Sequence, residues 1–137
     1  MTLCLADTSV AVPAVLASQV AHHVVNHWVG DRTLQLPAHA SLETYSVLTR
    51  LPGDARLLPG DAALLIRERF GSLVMLDPES TSGLVDELAR LRVAGGAAYD
   101  ALIAMTAVKA QGTLVTRDMR AAGTYRLLNA DYELVVG

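Results

Sequence analysis

The sequence predicts an α/β fold in which a parallel sheet is covered by helices on both faces. Short apolar runs recur along the chain, and a run that does not alternate with polar residues is typical of a strand buried on both faces. Longer segments with helical spacing of apolar residues separate these runs, as in parallel sheets. Apolar residues make up 52% of the 137 residues and charged residues 18%, which is enough apolar material for a core. No linker divides the sequence, so we expect a single domain over residues 1–137.

The predicted elements alternate along the chain. The strand candidates are short and mostly apolar; they are 3–6, 34–36, 73–76, 113–116 and 132–136. The helix candidates are bounded by Gly, Pro or Asp or by polar segments; they are 19–29, 41–51, a helix from 59, 77–93, 97–110 and a short helix after 118. This alternation is the reason for predicting parallel strands.

Acidic side chains follow two of the predicted strands. Asp7 comes directly after the first strand, and Asp118 comes two residues after the strand that ends at Thr116. Because ligands of open parallel sheets bind at the carboxyl ends of the strands, we expect both carboxylates at the same edge. Each acid also has an ordinary interpretation as a helix N-cap, so either one alone is a weak signal.

Two further acids lie on predicted helices. Asp100 is the only charged residue between Arg92 and Lys109, so its carboxylate lies near buried ground and needs a partner. Glu43 lies on the early helix at 41–51. Both acids are also compatible with solvent-facing positions, because isolated acids are usually found on the surface.

Four carboxylates brought together favour a divalent metal ion. They would repel each other, and a hard cation removes this repulsion. Oxygen ligands select Mg²⁺ or Mn²⁺, and one or two such ions activate water and neutralise a phosphodiester during its cleavage. The hydroxyls of Ser9 and Thr116, close in sequence to Asp7 and Asp118, are candidates for orienting a carboxylate or a water molecule. The four acids are therefore the candidate catalytic and metal-binding residues of a nuclease.

The acids occur in motifs that resemble a known family. In chain order the motifs are Leu-Ala-Asp7-Thr-Ser9, Leu42-Glu43-Thr-Tyr-Ser-Val-Leu-Thr-Arg-Leu51, Tyr99-Asp100-Ala-Leu-Ile-Ala and Leu114-Val-Thr-Arg-Asp118. The set resembles the PIN domain and, more narrowly, the VapC toxins of bacterial VapBC toxin–antitoxin systems. Each motif alone is weak, but four in this order across essentially the whole chain are fairly specific.

This resemblance implies both a fold and a function. It implies a PIN-like fold with four or five parallel strands, and a Mg²⁺- or Mn²⁺-dependent endoribonuclease that cleaves cellular RNA of the tRNA or rRNA class. The four acids match the acidic quartet of the family position by position. The implied partner is a VapB-type antitoxin whose carboxy-terminal segment lies over the groove of the toxin. Toxins of this family commonly form homodimers, so we also expect a homodimer and a toxin–antitoxin hetero-oligomer.

One position departs from the family pattern. Many PIN domains carry a further acid just after the last member of the quartet, whereas this chain has Met119 and Arg120 there. We therefore predict one tightly held metal ion, with a second ion that arrives with RNA.

Basic residues near the acids are candidates for contact with RNA phosphates. Arg50 follows Glu43 by seven residues, and Arg117 and Arg120 flank Asp118. Solvated surface positions or salt bridges to the acids explain them equally well. The net charge of −3 argues weakly against a nucleic-acid substrate, although setting the four acids aside leaves a body one unit positive.

The cysteine content and the longest uncharged stretch indicate the compartment. A single cysteine, Cys4, cannot form an internal disulfide, which fits a reducing environment. The uncharged stretch 8–30 has the length of a membrane span, but Pro13 and three histidines interrupt it and no basic residue precedes it. We expect a cytoplasmic protein with no membrane association.

Three alternatives remain open from the sequence. His23 and His27 have the spacing of a zinc-binding pair, but a third ligand at a standard interval is lacking. A Mg²⁺-dependent phosphatase of the haloacid-dehalogenase type would use Asp7 as its nucleophile, but that class has a second Asp where this chain has Ser9. A non-catalytic binding module with a PIN-like fold would keep the architecture without the metal.

Overall fold

The computed structural model describes residues 3–137, and its centre is a parallel sheet. Within those residues the sheet has four strands: β1 (Cys4–Ala6), β2 (Leu34–Gln35), β3 (Thr113–Thr116) and β4 (Asp131–Leu134). Their order is β2-β1-β3-β4, and all neighbours pair in parallel. The prediction of an α/β fold with a parallel sheet of four or five strands is confirmed.

Helices connect the strands and cover the sheet. In the described part of the chain they are α1 (Thr8–Val15), α2 (His22–Val29), α3 (Ala38–Thr49), α4 (Pro59–Phe70), α5 (Pro78–Arg90), α6 (Ala97–Ala110) and α7 (Met119–Leu127). The bounds of α6 and β3 are those predicted from the sequence. No helix within residues 3–137 is long and apolar enough to cross a membrane.

The two central strands form the core of the molecule. Leu5 of β1 and Leu114 and Val115 of β3 are completely buried. Burying each such apolar side chain contributes about 1.5–3 kcal/mol to the free energy of folding. This contribution favours apolar residues over charged ones in the two central strands. The approach between these strands is close: a Cβ at Gly112 would lie 3.0 Å from the carbonyl oxygen of Leu3, and only glycine fits without a shift.

Helix α1 was not predicted, and the helical segment expected at 19–29 begins only at His22. Pro13 lies inside α1, although proline normally breaks a helix because it has no N–H group. Here it lies near the end of α1, which terminates two residues later at Val15. The loss of one hydrogen bond in the last turn is therefore tolerated.

The strand predicted at 73–76 is wrong. Only Val74 pairs, through a single parallel bridge to Pro37. The ladder cannot continue, because α3 begins directly after Pro37 and turns the partner segment away. Met75 is 74% exposed, so this run is not buried as its apolar composition suggested. The last strand, predicted at 132–136, begins one residue earlier and ends at Leu134.

Candidate active site

The pairing of β1 with β3 brings two acids to one edge of the sheet. Ala6 lies opposite Val115 in the parallel register, and the Asp7 N–H donates to the Val115 carbonyl at 3.2 Å. Asp118 follows β3 after two residues. Both carboxylates therefore lie at the carboxyl ends of the strands, as the sequence predicted.

Asp7 is the buried member of the site, with 3% of its surface exposed. Its Oδ1 accepts a hydrogen bond from the Ser9 hydroxyl at 2.5 Å, and its Oδ2 accepts one from the Tyr125 hydroxyl at 2.7 Å. Burial raises the pKa of Asp7, and hydrogen bonds from the surrounding hydroxyls oppose that rise. Although Asp7 occupies the N-cap position of α1, its side chain makes no capping bond. Its carboxylate is instead held between β1 and α7.

Ser9 and Thr116 link the ends of β1 and β3 through their hydroxyl groups. The Ser9 oxygen accepts from the Arg117 N–H at 2.8 Å, and the Thr116 oxygen accepts from the Asp118 N–H at 3.0 Å. The two hydroxyl oxygens lie 3.4 Å apart. Hydrogen bonds from both hydroxyls lower the pKa of Asp7 against the effect of its burial. The two hydroxyls thus fix the backbone that carries Asp118 relative to the Asp7 carboxylate.

Asp118 is both an N-cap and a member of the acid cluster. Its Oδ1 accepts from the backbone N–H groups of Arg120 at 2.9 Å and Ala121 at 3.4 Å, at the start of α7. The Arg120 guanidinium lies 3.5 Å from Oδ2. The ordinary N-cap interpretation is therefore correct for Asp118, and it coexists with a position at the sheet edge.

Glu43 lies on α3 and faces α1. Its Oε1 accepts a hydrogen bond from the Thr8 hydroxyl at 3.0 Å. His39, one helical turn earlier, places its Nε2 3.7 Å from the same oxygen. That nitrogen is buried and has no hydrogen-bond partner within residues 3–137. Because Thr8 follows Asp7 directly in the chain, the hydrogen bond from Thr8 places Glu43 near Asp7.

Asp100, in the first turn of α6, shows that the four acids share one site. Its pKa is raised to about 6, first by burial and then by the negative charges of Asp118, Glu43 and Asp7. The opposing effect of the Arg120 charge is smaller. Unlike Asp7, the half-buried Asp100 carboxylate accepts no hydrogen bond from the described residues. The other three predicted acids therefore lie close enough to Asp100 for their charges to act on it, including Glu43, for which the sequence had offered little beyond the family resemblance.

The donor chemistry of this cluster fits a hard divalent cation. Carboxylate oxygens are the preferred ligands of Mg²⁺ and Mn²⁺. Burial and, after it, repulsion by the other acids raise the pKa of Asp100, and a bound cation would stabilise its charged form against both. As they stand, no three acidic, histidine or cysteine side chains within residues 3–137 are spaced to hold one ion. Binding an ion here therefore requires side chains of the cluster to move toward it.

The three candidate arginines differ in how they are held. The Arg117 side chain donates to the Val135 carbonyl at 3.4 Å, and Arg120 pairs with Asp118. Arg50 is exposed and lines a surface depression that also contains Thr8 and Glu43. All three lie beside elements that carry the acids.

The histidines of α2 have an ordinary structural explanation. His22 Nδ1 is hydrogen bonded to the Pro13 carbonyl at 2.8 Å, which satisfies an acceptor at the end of α1. His23 and His27 are exposed. Among residues 3–137, no group of three potential metal ligands includes them. The geometry does not favour the zinc alternative.

The fold and the acid cluster together match a known family. The model of the PIN domain matches residues 4–127 of this sequence. The chain therefore belongs to the PIN-domain family.

Relatives narrow the assignment within that family to the VapC proteins. The sequence is 48% identical over 119 residues to Ribonuclease VapC27 of Mycobacterium tuberculosis, which covers 87% of each chain. It is 43% identical over 130 residues to Ribonuclease VapC40 of the same species, which covers 94% of this chain and 96% of that one. The prediction of a VapC-type PIN domain is confirmed.

Solved structures agree at the level of the fold. VapBC2 from Rickettsia felis, bound to a DNA fragment of its promoter, superposes with a TM-score of 0.68 at 17% identity, over 96% of this chain and 98% of that one. FitAcB from Neisseria gonorrhoeae gives a TM-score of 0.67 at 20% identity, over 95% and 96%.

Sequence reasoning missed three residues of the site. Tyr125 contacts Asp7 across 118 positions, Thr8 contacts Glu43 across 35, and His39 lies one turn before Glu43. Only His39 had a local signal, its i, i+4 spacing on the same helix. A tyrosine on a helix whose hydroxyl needs a buried partner was the weak clue for Tyr125.

Replacing Tyr125 by phenylalanine tests its support of Asp7. Tyr125→Phe keeps the buried ring but removes the hydroxyl that binds Oδ2, so we expect the free energy of unfolding at neutral pH to fall by about 1–3 kcal/mol. Urea denaturation monitored by circular dichroism measures the change. The matched control is Tyr132→Phe, whose lost hydroxyl bonds the exposed Arg126, and we expect it to change stability by less than about 0.5 kcal/mol. Equal effects of both variants would contradict this assignment.

A second prediction concerns the charge coupling of Asp100. Asp118→Asn removes a neighbouring negative charge and keeps the capping oxygen, so we expect the pKa of Asp100 to fall below its value of about 6. Carbon-13 NMR titration of the side-chain carboxyl in metal-free protein measures it. The exposed Asp86→Asn on α5 serves as the control and should leave that pKa unchanged.

The same coupling sets the sign of the pH dependence. Because the pKa of Asp100 is higher in the folded than in the unfolded protein, metal-free protein should lose stability as the pH rises from about 4 to about 6. Asp100→Asn should remove that part of the slope. An unaltered slope in Asp100→Asn would contradict the raised pKa of Asp100, and an unaltered Asp100 pKa in Asp118→Asn would contradict the charge coupling between these two acids.

Proposed function

We propose that this protein is a metal-dependent endoribonuclease that acts as the toxin of a VapBC-type pair. The observation that carries the proposal is the convergence of four acids near the carboxyl edge of the sheet, where burial and the charges of the other three raise the pKa of Asp100 to about 6. Two relatives with more than 40% identity are named ribonucleases, which supports RNA as the substrate. Residues 1–137 would form one PIN domain.

The four acids share one role in this proposal, and neighbouring hydroxyl groups position two of them. Asp7, Glu43, Asp100 and Asp118 hold Mg²⁺ or Mn²⁺. When bound, the cation activates water and neutralises the phosphodiester that is cleaved. Ser9 and Tyr125 hold the two oxygens of Asp7. Thr116 fixes the backbone of Asp118.

Basic side chains at the rim are proposed to contact the RNA backbone. The Arg120 side chain is 93% exposed and Arg50 is also exposed, so both reach solvent beside the acids. Arg117 is partly buried and hydrogen bonded to Val135, which gives it a more fixed position. Contacts of this kind position RNA without reading its sequence. We therefore expect the bases to be selected by other residues.

The proposed partner is a VapB-type antitoxin. The matched structures of the same fold are named VapBC2 and FitAcB, and the former is described as bound to a promoter DNA fragment. We propose that this chain likewise forms a homodimer within a toxin–antitoxin hetero-oligomer. A cytoplasmic location follows from the proposed substrate, cellular RNA of the tRNA or rRNA class.

Cleavage of total RNA by the purified protein tests this function. We expect cutting with Mg²⁺ or Mn²⁺, none with chelator, and a loss of at least about 100-fold in rate for Asp7→Asn, because one ligand of the ion loses its charge. Denaturing gels and end mapping of the fragments measure the rate and the site. Asp86→Asn, an exposed acid on α5, should cut like the unaltered protein. Cutting that survives both chelator and Asp7→Asn would contradict the proposal.

The number of ions is a separate prediction. Because Met119 and Arg120 stand where many PIN domains have a further acid, and the Arg120 charge lies 3.5 Å from Asp118, we expect one tightly bound Mn²⁺ per chain without RNA. Isothermal calorimetry with MnCl₂ counts the sites. Two tight sites in RNA-free protein would contradict this prediction but not the nuclease activity.

A further inference from the structure

Two aromatic rings stack at the rim of the acid cluster. The rings of His39 and Tyr99 are nearly parallel, at an angle of 4°, with their centroids 5.2 Å apart. This is the offset stacked geometry that aromatic pairs prefer. His39 lies on α3 and Tyr99 on α6, so the pair bridges two helices of the site.

The position of each ring relative to the acids is fixed by the chain. Tyr99 directly precedes Asp100, and His39 lies one turn before Glu43 with its Nε2 3.7 Å from the Glu43 carboxylate. His39 therefore lies beside Glu43, one of the four proposed metal ligands, and the Tyr99 ring stacks on His39. A base stacked on Tyr99 would lie close to the phosphodiester that the metal site is proposed to act on.

One ring of the pair is largely open to solvent. Tyr99 is 57% exposed although one part of it faces His39. An exposed aromatic ring beside a catalytic site differs from the usual buried aromatic of a core. The helix and the stacked His39 ring already hold Tyr99 in place. Stacking of a further ring on Tyr99 would therefore cost little side-chain conformational entropy.

We propose that Tyr99, held by His39, is the stacking platform for a nucleobase of RNA next to the cleaved phosphodiester. The proposal rests on the ribonuclease function and specifies which part of the substrate the site grips. Stacking on an aromatic side chain is the common way in which proteins hold unpaired bases, and it tolerates any base because each has a π-face. The platform thus predicts a preference for single-stranded segments at the cut.

The experiment measures RNA affinity and base stacking separately. The probe is a short single-stranded RNA that spans the mapped cleavage site, bound in Mg²⁺ to protein carrying Asp7→Asn to prevent cutting. We expect Tyr99→Leu to weaken binding about tenfold and Tyr99→Phe, which keeps the ring, to weaken it less than about twofold. Fluorescence anisotropy measures both. In the same RNA, 2-aminopurine next to the cut should be quenched by the protein with Tyr99 or Phe at this position, and not with Leu.

Controls separate the platform from helix packing and from loss of any aromatic ring. Trp28→Leu removes an aromatic ring that packs against Arg32. Because Trp28 lies on α2, a helix that carries none of the four acids, this variant should leave RNA affinity unchanged. Thermal unfolding checks that each variant is folded. The 2-aminopurine measurement can also be made on protein that keeps Tyr99, so it tests stacking even if a variant at position 99 does not fold.

Each outcome decides the proposal. Unchanged RNA affinity in Tyr99→Leu, or an equal loss in Tyr99→Phe, would overturn the platform while RNA cleavage by the unaltered protein would keep the nuclease function. Absence of quenching next to the cut would also overturn it. If Tyr99→Leu weakens only a co-purified antitoxin complex, the ring belongs to the partner interface and the platform is wrong. If the unaltered protein neither binds nor cuts RNA, both proposals fall.

Discussion

The register between β1 and β3 sets Ala6 opposite Val115, and the geometry of the acid cluster depends on it. A shift of one residue would turn every side chain of β1 to the other face of the sheet. It would also break the Asp7 N–H bond to Val115 and the contact between Ser9 and the backbone of Arg117. These register-specific hydrogen bonds hold the ends of β1 and β3 together, and so bring close two acids that are 111 positions apart in the chain.

The strand register places negative charges close together, where they repel one another. The four acids differ in the groups that stabilise their charges. Hydrogen bonds from two hydroxyl groups stabilise the Asp7 carboxylate. Backbone N–H groups and the Arg120 guanidinium stabilise the Asp118 carboxylate. Asp100 accepts no such hydrogen bond from the described residues, and its pKa rises to about 6, first by burial and then by the charges of the other acids. Burial also raises the pKa of Asp7. A bound cation would stabilise the charged form of these buried acids, so an arrangement that is unfavourable in the metal-free protein favours metal binding.

Local pattern predicted the parts of the site that depend on strand ends and failed for those that depend on distant contacts. Asp7 and Asp118 follow buried strands, and a rule about sheet edges was enough to pair them. The position of Glu43 required the family resemblance, since an acid on a helix faces solvent in most proteins. Tyr125 was missed because a hydrogen bond across 118 positions leaves no periodic trace in the sequence. The strand prediction at 73–76 was wrong although the composition of this run is typical of a strand. Because α3 begins directly after Pro37, the partner segment is too short for more than one bridge.

The burial of Asp7 also argues against the phosphatase chemistry that the sequence left open. A phosphatase that used Asp7 as its nucleophile would need a free carboxylate oxygen within about 3–3.5 Å of phosphorus, approached in line. Asp7 is 3% exposed, and each of its oxygens already accepts a hydroxyl hydrogen bond. Ser9, at the place of the second acid of such phosphatases, is itself committed as donor to Asp7 and acceptor from Arg117. A small cation needs only a remaining lone pair of Asp7, so the geometry is compatible with the ligand role proposed for this residue.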